Sequence, residues 1–473
     1  MKSRIPALHS RARIPRAIPE WLPFPWRLLD PAIRLGLTGN TRDYCDFADG
    51  RLFTAERHSR YRVVALGDIA LTRIPDDGNY RGRLAALIPL IERADVVTAN
   101  LEAMLTERTE RSGTIGSFMR AEPQAVSALA EHPNLVLTLA NNHALDFGPE
   151  AIDNTIRLLR NHGIGVCGAV NVSASTDRAR IEAGAQKITV LGFCDDHQPT
   201  SSGASGTKLC LAEEADIELA VCAAVARSDR VLVNLHWGYE FSFHPLLRHR
   251  TLARRIVDWG ADLVLCHHAH IPMSIERWQH GLIAYGLGNC VMPHSQYQLS
   301  GHPWTTRSIA LEAGFDEDGL TEVIIHPFEM DPDGNAIDTS PAVRRQTLKA
   351  LSKASARLDD ERFLRQLEGH RLISETLTFL KAIVRPGDHT ETQLRERARS
   401  LDLPRQRALL NWLKTQSELS SLSQAMTGFA EASATGPEEF ISTFTRLRNK
   451  APEAIRQLER QTRNAIRLAA KIP

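Results

Sequence analysis

The stretch LVLCHHAHIP, residues 263–272, sets three histidines into four positions directly behind an apolar run. Leu263–Cys266 has the length and composition of a buried strand. His267, His268 and His270 therefore fall where such a strand leaves the core. A polar loop is the ordinary explanation. The alternative is a metal site, because neutral imidazoles are nitrogen ligands for Zn, Mn or Fe. In extended chain, residues two apart project to the same side. That predicts His268 and His270 facing one site, with His267 pointing away.

Four earlier apolar runs end in the same way. VVALGDIAL places Asp68, and VVTANLEAML places Asn100 and Glu102. LTLANNHALDFG places Asn141, Asn142, His143 and Asp146, and VLVNLHWGYE places His236 and Glu240. Helix-like stretches lie between the runs: GRLAALIPLIERA, PEAIDNTIRLLRNHG and LLRHRTLARRIVDWG. This alternation predicts an α/β domain beginning at Tyr61. GLIAYGLG, RSIALEAG and TEVIIHPFE follow one another without a helix, so antiparallel strands complete the sheet near residue 330. The turn cluster DPDGN at 331–335 marks its end.

Ligands of open α/β sheets bind beyond the carboxyl ends of the strands, so five loops distant in sequence can converge there. Taken singly, each residue has an ordinary explanation. Asp68 suits a helix N-cap, His236 a satisfied core histidine, and Asn142 and Asp146 a turn. Glu240 and Arg120 (in FMRAEP) suit the surface. Together they suit a binuclear centre, with carboxylates from Asp68 and Glu102, an amide oxygen from Asn142, and imidazoles from His236, His268 and His270.

The remaining sequence narrows the function class. A chain of 473 residues suggests about two to three domains. With 43% apolar residues, 24% charged residues and a net charge of +1, it reads as an ordinary globular protein with no global field for nucleic acid. The α/β part has no dense basic and aromatic groove, so no specific nucleic-acid partner is expected. The seven cysteines form no CxxC pair and read as reduced thiols. No run approaches the ~20 apolar residues of a membrane span, and no apolar segment of a secretory signal follows the N-terminal basic residues. A cytoplasmic location is expected. The chain divides into a basic, proline-rich arm (1–60), the α/β domain (61–330) and a helical C-terminal region (341–473). Basic residues concentrate at the two ends, where Arg11, Arg13 and Arg16 flank Trp21 and where Arg456, Arg460, Arg463 and Arg467 recur. Such ends can hold a protein on an anionic membrane surface or an acidic partner.

The motifs GDIAL, ANLE, FMRAEP, LANNHALDFG, HWGYE, GADLVLCHHAH and IAYGLGN occur in that order over roughly residues 62–328. In this the chain resembles the CapA-type capsule, or poly-γ-glutamate, biosynthesis proteins, a branch of the calcineurin-like metallophosphoesterase superfamily. The resemblance implies a four-layer αββα sandwich with two divalent metal ions (Mn, Fe or Zn). It implies Asp68 and His270 on one ion and Asn142, His236 and His268 on the other. Glu102 would bridge them, with Asn100 close enough to compete. His143 would protonate the leaving group. Arg120 would hold an anionic group by two parallel hydrogen bonds, and Asn100 and Glu240 would contact substrate. The chain departs from many superfamily members in having Ala70 where they carry a histidine two residues after the first aspartate. The implied function is that of a metal-dependent hydrolase or transferase acting on an anionic small molecule or polymer. The alternative is a non-catalytic polymer-biosynthesis subunit that uses the fold as a binding module.

Overall fold

The computed structural model describes residues 49–367, apart from 112–117, 133, 172–173, 177, 184–185, 196–206, 294–303 and 366. Most of the N-terminal arm and the chain beyond 367 lie outside the described residues. So does the expectation that the basic ends contact a membrane or an acidic partner. Among the described residues no helix is long and apolar enough to cross a membrane.

In chain order the strands that position the site begin with β1 (Arg51–Thr54), β2 (Tyr61–Ile69), β3 (Val96–Leu101), β4 (Leu135–Thr138) and β5 (Gly165–Cys167). Then come β6 (Arg178–Ala183), β7 (Gln186–Cys194), β8 (Arg230–His236), β9 (Leu263–His267) and β10 (Ile275–Trp278). The last are β11 (Gly281–Ala284), β12 (Asn289–Val291), β13 (Arg307–Asp316) and β14 (Gly319–Met330). The helices are α1 (Pro149–Asn161), α2 (Glu214–Val225), α3 (Leu247–Asp258) and α4 (Pro341–Ser355). One sheet has the order β1-β14-β13-β2-β3-β4-β5, with β12 paired to the end of β2; the other has the order β6-β7-β8-β9-β11-β10. β2 to β5 run parallel in the first sheet, and β7, β8, β9 and β11 run parallel in the second.

The central strands are buried on both faces, and their side chains divide by parity. In β2, Val63 and Ala65 join a cluster shared by both sheets, whereas Val64 and Leu66 face α1. In β9, Leu263 and Leu265 face the other sheet, while Val264 and Cys266 pack with α2 and α3. The result is the expected four-layer αββα sandwich, with α1 outside one sheet and α2 and α3 outside the other.

Three sequence expectations change. GRLAALIPLIERA is a 3₁₀ turn at Ala85–Leu87 and one α-turn at Ile88–Ile91. Pro89 has no N–H to donate to the carbonyl of Ala85, so the longer helix is interrupted. The arm does not extend to residue 60, because β1 pairs antiparallel with β14. Nor does the helical region begin as a separate body at 341. Leu348 and Leu351 of α4 lie in the inter-sheet cluster, and Ile275 N–H donates to Ser355 Oγ at 2.9 Å. Arg254 on α3 then ties Glu276 and Asp359 together at 2.6 and 2.7 Å.

Away from the strand ends, the buried carboxylate of Glu312 accepts hydrogen bonds from Arg62, Arg93 and His326 at 3.0, 2.8 and 2.8 Å. Burial alone would raise its pKa, but His326 and Arg93 outweigh burial and hold it at about 2. The folded pKa thus lies below the unfolded value. The stabilisation is complete above about pH 4.3 and is lost as pH falls through about 2. Glu312→Ala is expected to cost about 1.5–3 kcal/mol at pH 7. Acid unfolding followed by circular dichroism should show the gap between variant and wild type closing below about pH 4.

Candidate metal centre

The inter-sheet face is apolar at its middle and turns polar at the carboxyl ends of β2, β3, β8 and β9. Parity sets which residues appear there. Thr98 and Asn100 follow Val96 on the inward face of β3, Asn234 and His236 follow Leu232 on β8, and His267 follows Leu265 on β9. At the end of β2 a register shift between Ala65 and Asp68 turns the aspartate into this space. Gly67 makes that possible, because a Cβ there would sit 1.9 Å from the carbonyl oxygen of Gly288. Beyond β9 the backbone leaves the extended region, with φ of +80° at His268 and +56° at His270. Such values are uncommon for side-chain-bearing residues and belong to tightly constrained sites.

These loops bring together all six expected ligands. Asp68, Glu102 and His270 offer ligand atoms within 4.8 Å of one another, and so do Glu240, His268 and His270. The rings of His236 and His268 lie 4.9 Å apart. His236 sits between two amides, with Nδ1 3.1 Å from Asn100 Nδ2 and Nε2 2.8 Å from Asn142 Oδ1. The tautomer of His270 follows from its neighbour. Asn289 Nδ2 donates to the carbonyls of His270 and Thr305, so its Oδ1 faces His270 Nδ1 at 2.8 Å. Nδ1 therefore carries the proton and Nε2, 3.7 Å from Glu102 Oε1, presents its lone pair, the usual arrangement of a metal-bound histidine.

The two central carboxylates differ. Burial pushes Asp68 up, but the hydrogen bond and charge of His267, with His270 and Asn100, outweigh it and hold the group below the ordinary range. Glu102 has no such support. Both its oxygens are buried without a hydrogen-bond partner, and the imidazoles of His143, His236 and His270 approach Oε1 no closer than 3.7 Å. Burial, followed by the charges of Asp68, Glu240 and Asp146, raises its pKa well above that of a normal glutamate. A fully buried carboxylate with no donor, among other carboxylates and lone-pair nitrogens, fits a divalent cation.

His143 stands at the rim with its Nδ1 2.8 Å from Asp146 Oδ2, and Met119 N–H donates to the same oxygen at 2.7 Å. Its Nε2 faces inward, 3.9 Å from Glu102 Oε1. Asp146 thus orients the ring.

Four expectations need correction. His267 does not point away: it continues the inward face of β9, and its Nδ1 lies 3.3 Å from Asp68 Oδ1. The argument from extended chain fails because the chain is not extended at His268 and His270. Asn100 is not placed to contact substrate. It is fully buried, donates to Asp68 Oδ1 at 2.8 Å and accepts from Asn141 at 3.1 Å. Arg120 is not an open pair of donors, because its terminal nitrogens donate to Thr106 O at 2.9 Å and Glu122 Oε1 at 2.8 Å. Glu240, expected beside substrate, is grouped with His268 and His270. Its loop is tied there by Phe241 N–H donating to Ala269 O at 2.8 Å.

The chain is 27% identical over 284 residues to the capsule biosynthesis protein CapA of Bacillus anthracis, covering 56% of this chain and 67% of that protein. It is 26% identical over 292 residues to the PGA biosynthesis protein CapA of Bacillus subtilis, covering 60% of this chain and 73% of the relative. Among solved structures it overlaps a putative 5'-nucleotidase from Staphylococcus aureus with 16% identity and a TM-score of 0.37, over 61% of this chain and 58% of the other. The family model for the bacterial capsule synthesis protein PGA_cap matches residues 62–294, the segment that supplies every residue of the centre described above. Over this α/β domain, the chain is similar to the PGA_cap family of bacterial capsule synthesis proteins.

Proposed function

We propose that this chain is a metal-dependent hydrolase acting on an anionic substrate in the making or trimming of a capsular or polyglutamate-type polymer. The observation that carries the reading is Glu102, a carboxylate without a hydrogen bond among Asp68, His236 and His270, beside a second group of Glu240, His268 and His270. Asp68, Glu102 and His270 would hold one cation. Asn142, His236 and His268 would hold a second, with Glu240 as an additional carboxylate. Bound divalent ions would supply Lewis-acid polarisation of the scissile group and offset the charge that develops on it.

The protein's own residues do the rest. The Asp146 carboxylate keeps His143 Nδ1 protonated and turns Nε2 toward the centre. From there the imidazolium form can deliver its Nε2 proton to a departing oxygen or nitrogen, leaving a neutral ring whose remaining proton stays on Nδ1. Burial of Asp68, Glu102, His236 and His270 excludes water from the anchoring side, so the substrate approaches from the rim occupied by His143 and Glu240. Two Bacillus relatives are named for capsule and PGA biosynthesis, which is the reason to try such polymers first.

The full chain, loaded with Mn²⁺ or Zn²⁺, should hydrolyse at least one member of a panel of phosphomonoesters, phosphodiesters and γ-glutamyl peptides. Chelation should abolish the activity and added metal should restore it. Turnover that survives exhaustive chelation would refute the reading.

A further inference from the structure

His267 is the one histidine of the HHAH cluster that the metal assignment leaves without a role. Its ring is fully buried between the sheets, on the same inward face as Leu263 and Leu265. Both ring nitrogens meet oxygen. Nδ1 lies 3.3 Å from Asp68 Oδ1, and Nε2 lies 3.2 Å from Asn234 Oδ1. Asn234 is fixed in turn, because its Nδ2 donates to Thr98 Oγ1 at 3.0 Å. Thr98 and Asp68 belong to β3 and β2 of one sheet, and Asn234 and His267 to β8 and β9 of the other. The four side chains therefore cross the sheet interface twice in one continuous polar line. It ends on the aspartate that also receives Asn100 Nδ2 at 2.8 Å and His268 N–H at 3.2 Å.

We infer that His267 is a positioning residue that aims Asp68: its Nδ1, reaching from the opposite sheet, stands 3.3 Å from Oδ1 and so sets which side of the carboxylate is left open to a cation. The ring is not itself placed as a ligand. Its nitrogens face Asp68 and Asn234, and it is absent from both groups of converging ligand atoms. Outer partners of this kind typically change metal affinity by about 10–100-fold when removed.

The inference rests on the metal reading proposed above, and its test separates the two. The measurement is Mn²⁺ affinity of the full chain by competition with a fluorescent chelator, with the melting temperature of each chelated variant recorded alongside. Asparagine places its Nδ2 where histidine has Nδ1, whereas glutamine reaches only the Nε2 position. His267→Asn should bind Mn²⁺ close to wild type. His267→Gln and His267→Ala should bind about 10–100-fold more weakly. Wild type that fails to bind Mn²⁺ would overturn the metal reading and this inference together. Wild type that binds, with His267→Ala binding equally well, would overturn the positioning role alone. Equal weakening in all three variants would also overturn it, by showing that the ring only fills space.

Discussion

His143→Ala is expected to lower turnover by about 10²–10⁴-fold while leaving bound metal unchanged, because the imidazole serves as proton donor and not as ligand. The geometry separates these roles. His143 Nε2 stops 3.9 Å from Glu102, and Nδ1 is taken by Asp146 at 2.8 Å. The loss should be largest for substrates with poor leaving groups, whose departing atom most needs a proton. Kinetics on a series of aryl and alkyl esters, with metal content measured on the same samples, would check this. Equal losses across the series would reduce His143 to a positioning role. No loss at all would favour a binding module that keeps the fold without the chemistry.

Glu102→Met should strip the centre of metal and, once both proteins are chelated, make the variant more stable than wild type. The reasoning is electrostatic. A buried carboxylate that accepts no hydrogen bond is a burden unless a cation answers it. An apolar side chain of similar length removes an unsatisfied group worth about 1–3 kcal/mol. At about 2–4 °C per kcal/mol for a domain of this size class, the shift is measurable by calorimetry. Retention of metal by Glu102→Met, or a lower melting temperature in the chelated state, would contradict the role given to this residue.

The strands were legible because each is a short β-rich run, and the carboxyl-end rule then named the loops that converge. Asp68, Glu102, Asn142, His236, His268 and His270 all follow from that reasoning, and the structure brings them together. What escaped the sequence depended on backbone direction and on contacts between sheets. Strand parity in β9 turns His267 inward, but the left-handed residues after it cannot be anticipated from HHAH alone. Asp146 looked like a turn residue because only two residues separate it from His143, and its hold on that ring shows only in the folded loop. Asn289 was read only as the end of IAYGLGN, and its hold on His270 requires β12 to lie beside β2. α2 gave little periodic signal, because Leu219 and Val225 stay exposed while Ile217, Val221 and Ala224 are buried. The domain ends were misplaced for the same reason. β1 and α4 show their membership only through partners more than 200 and 60 residues away, β14 and β10 respectively.

The most direct test of the central claim is elemental analysis of the full chain purified without chelator, compared with the His268→Ala, His270→Ala double variant. The converging carboxylates and imidazoles predict Mn, Fe or Zn at stoichiometric level in the wild type and only traces in the double variant. Full metal content in the double variant, or only traces in the wild type, would contradict the account.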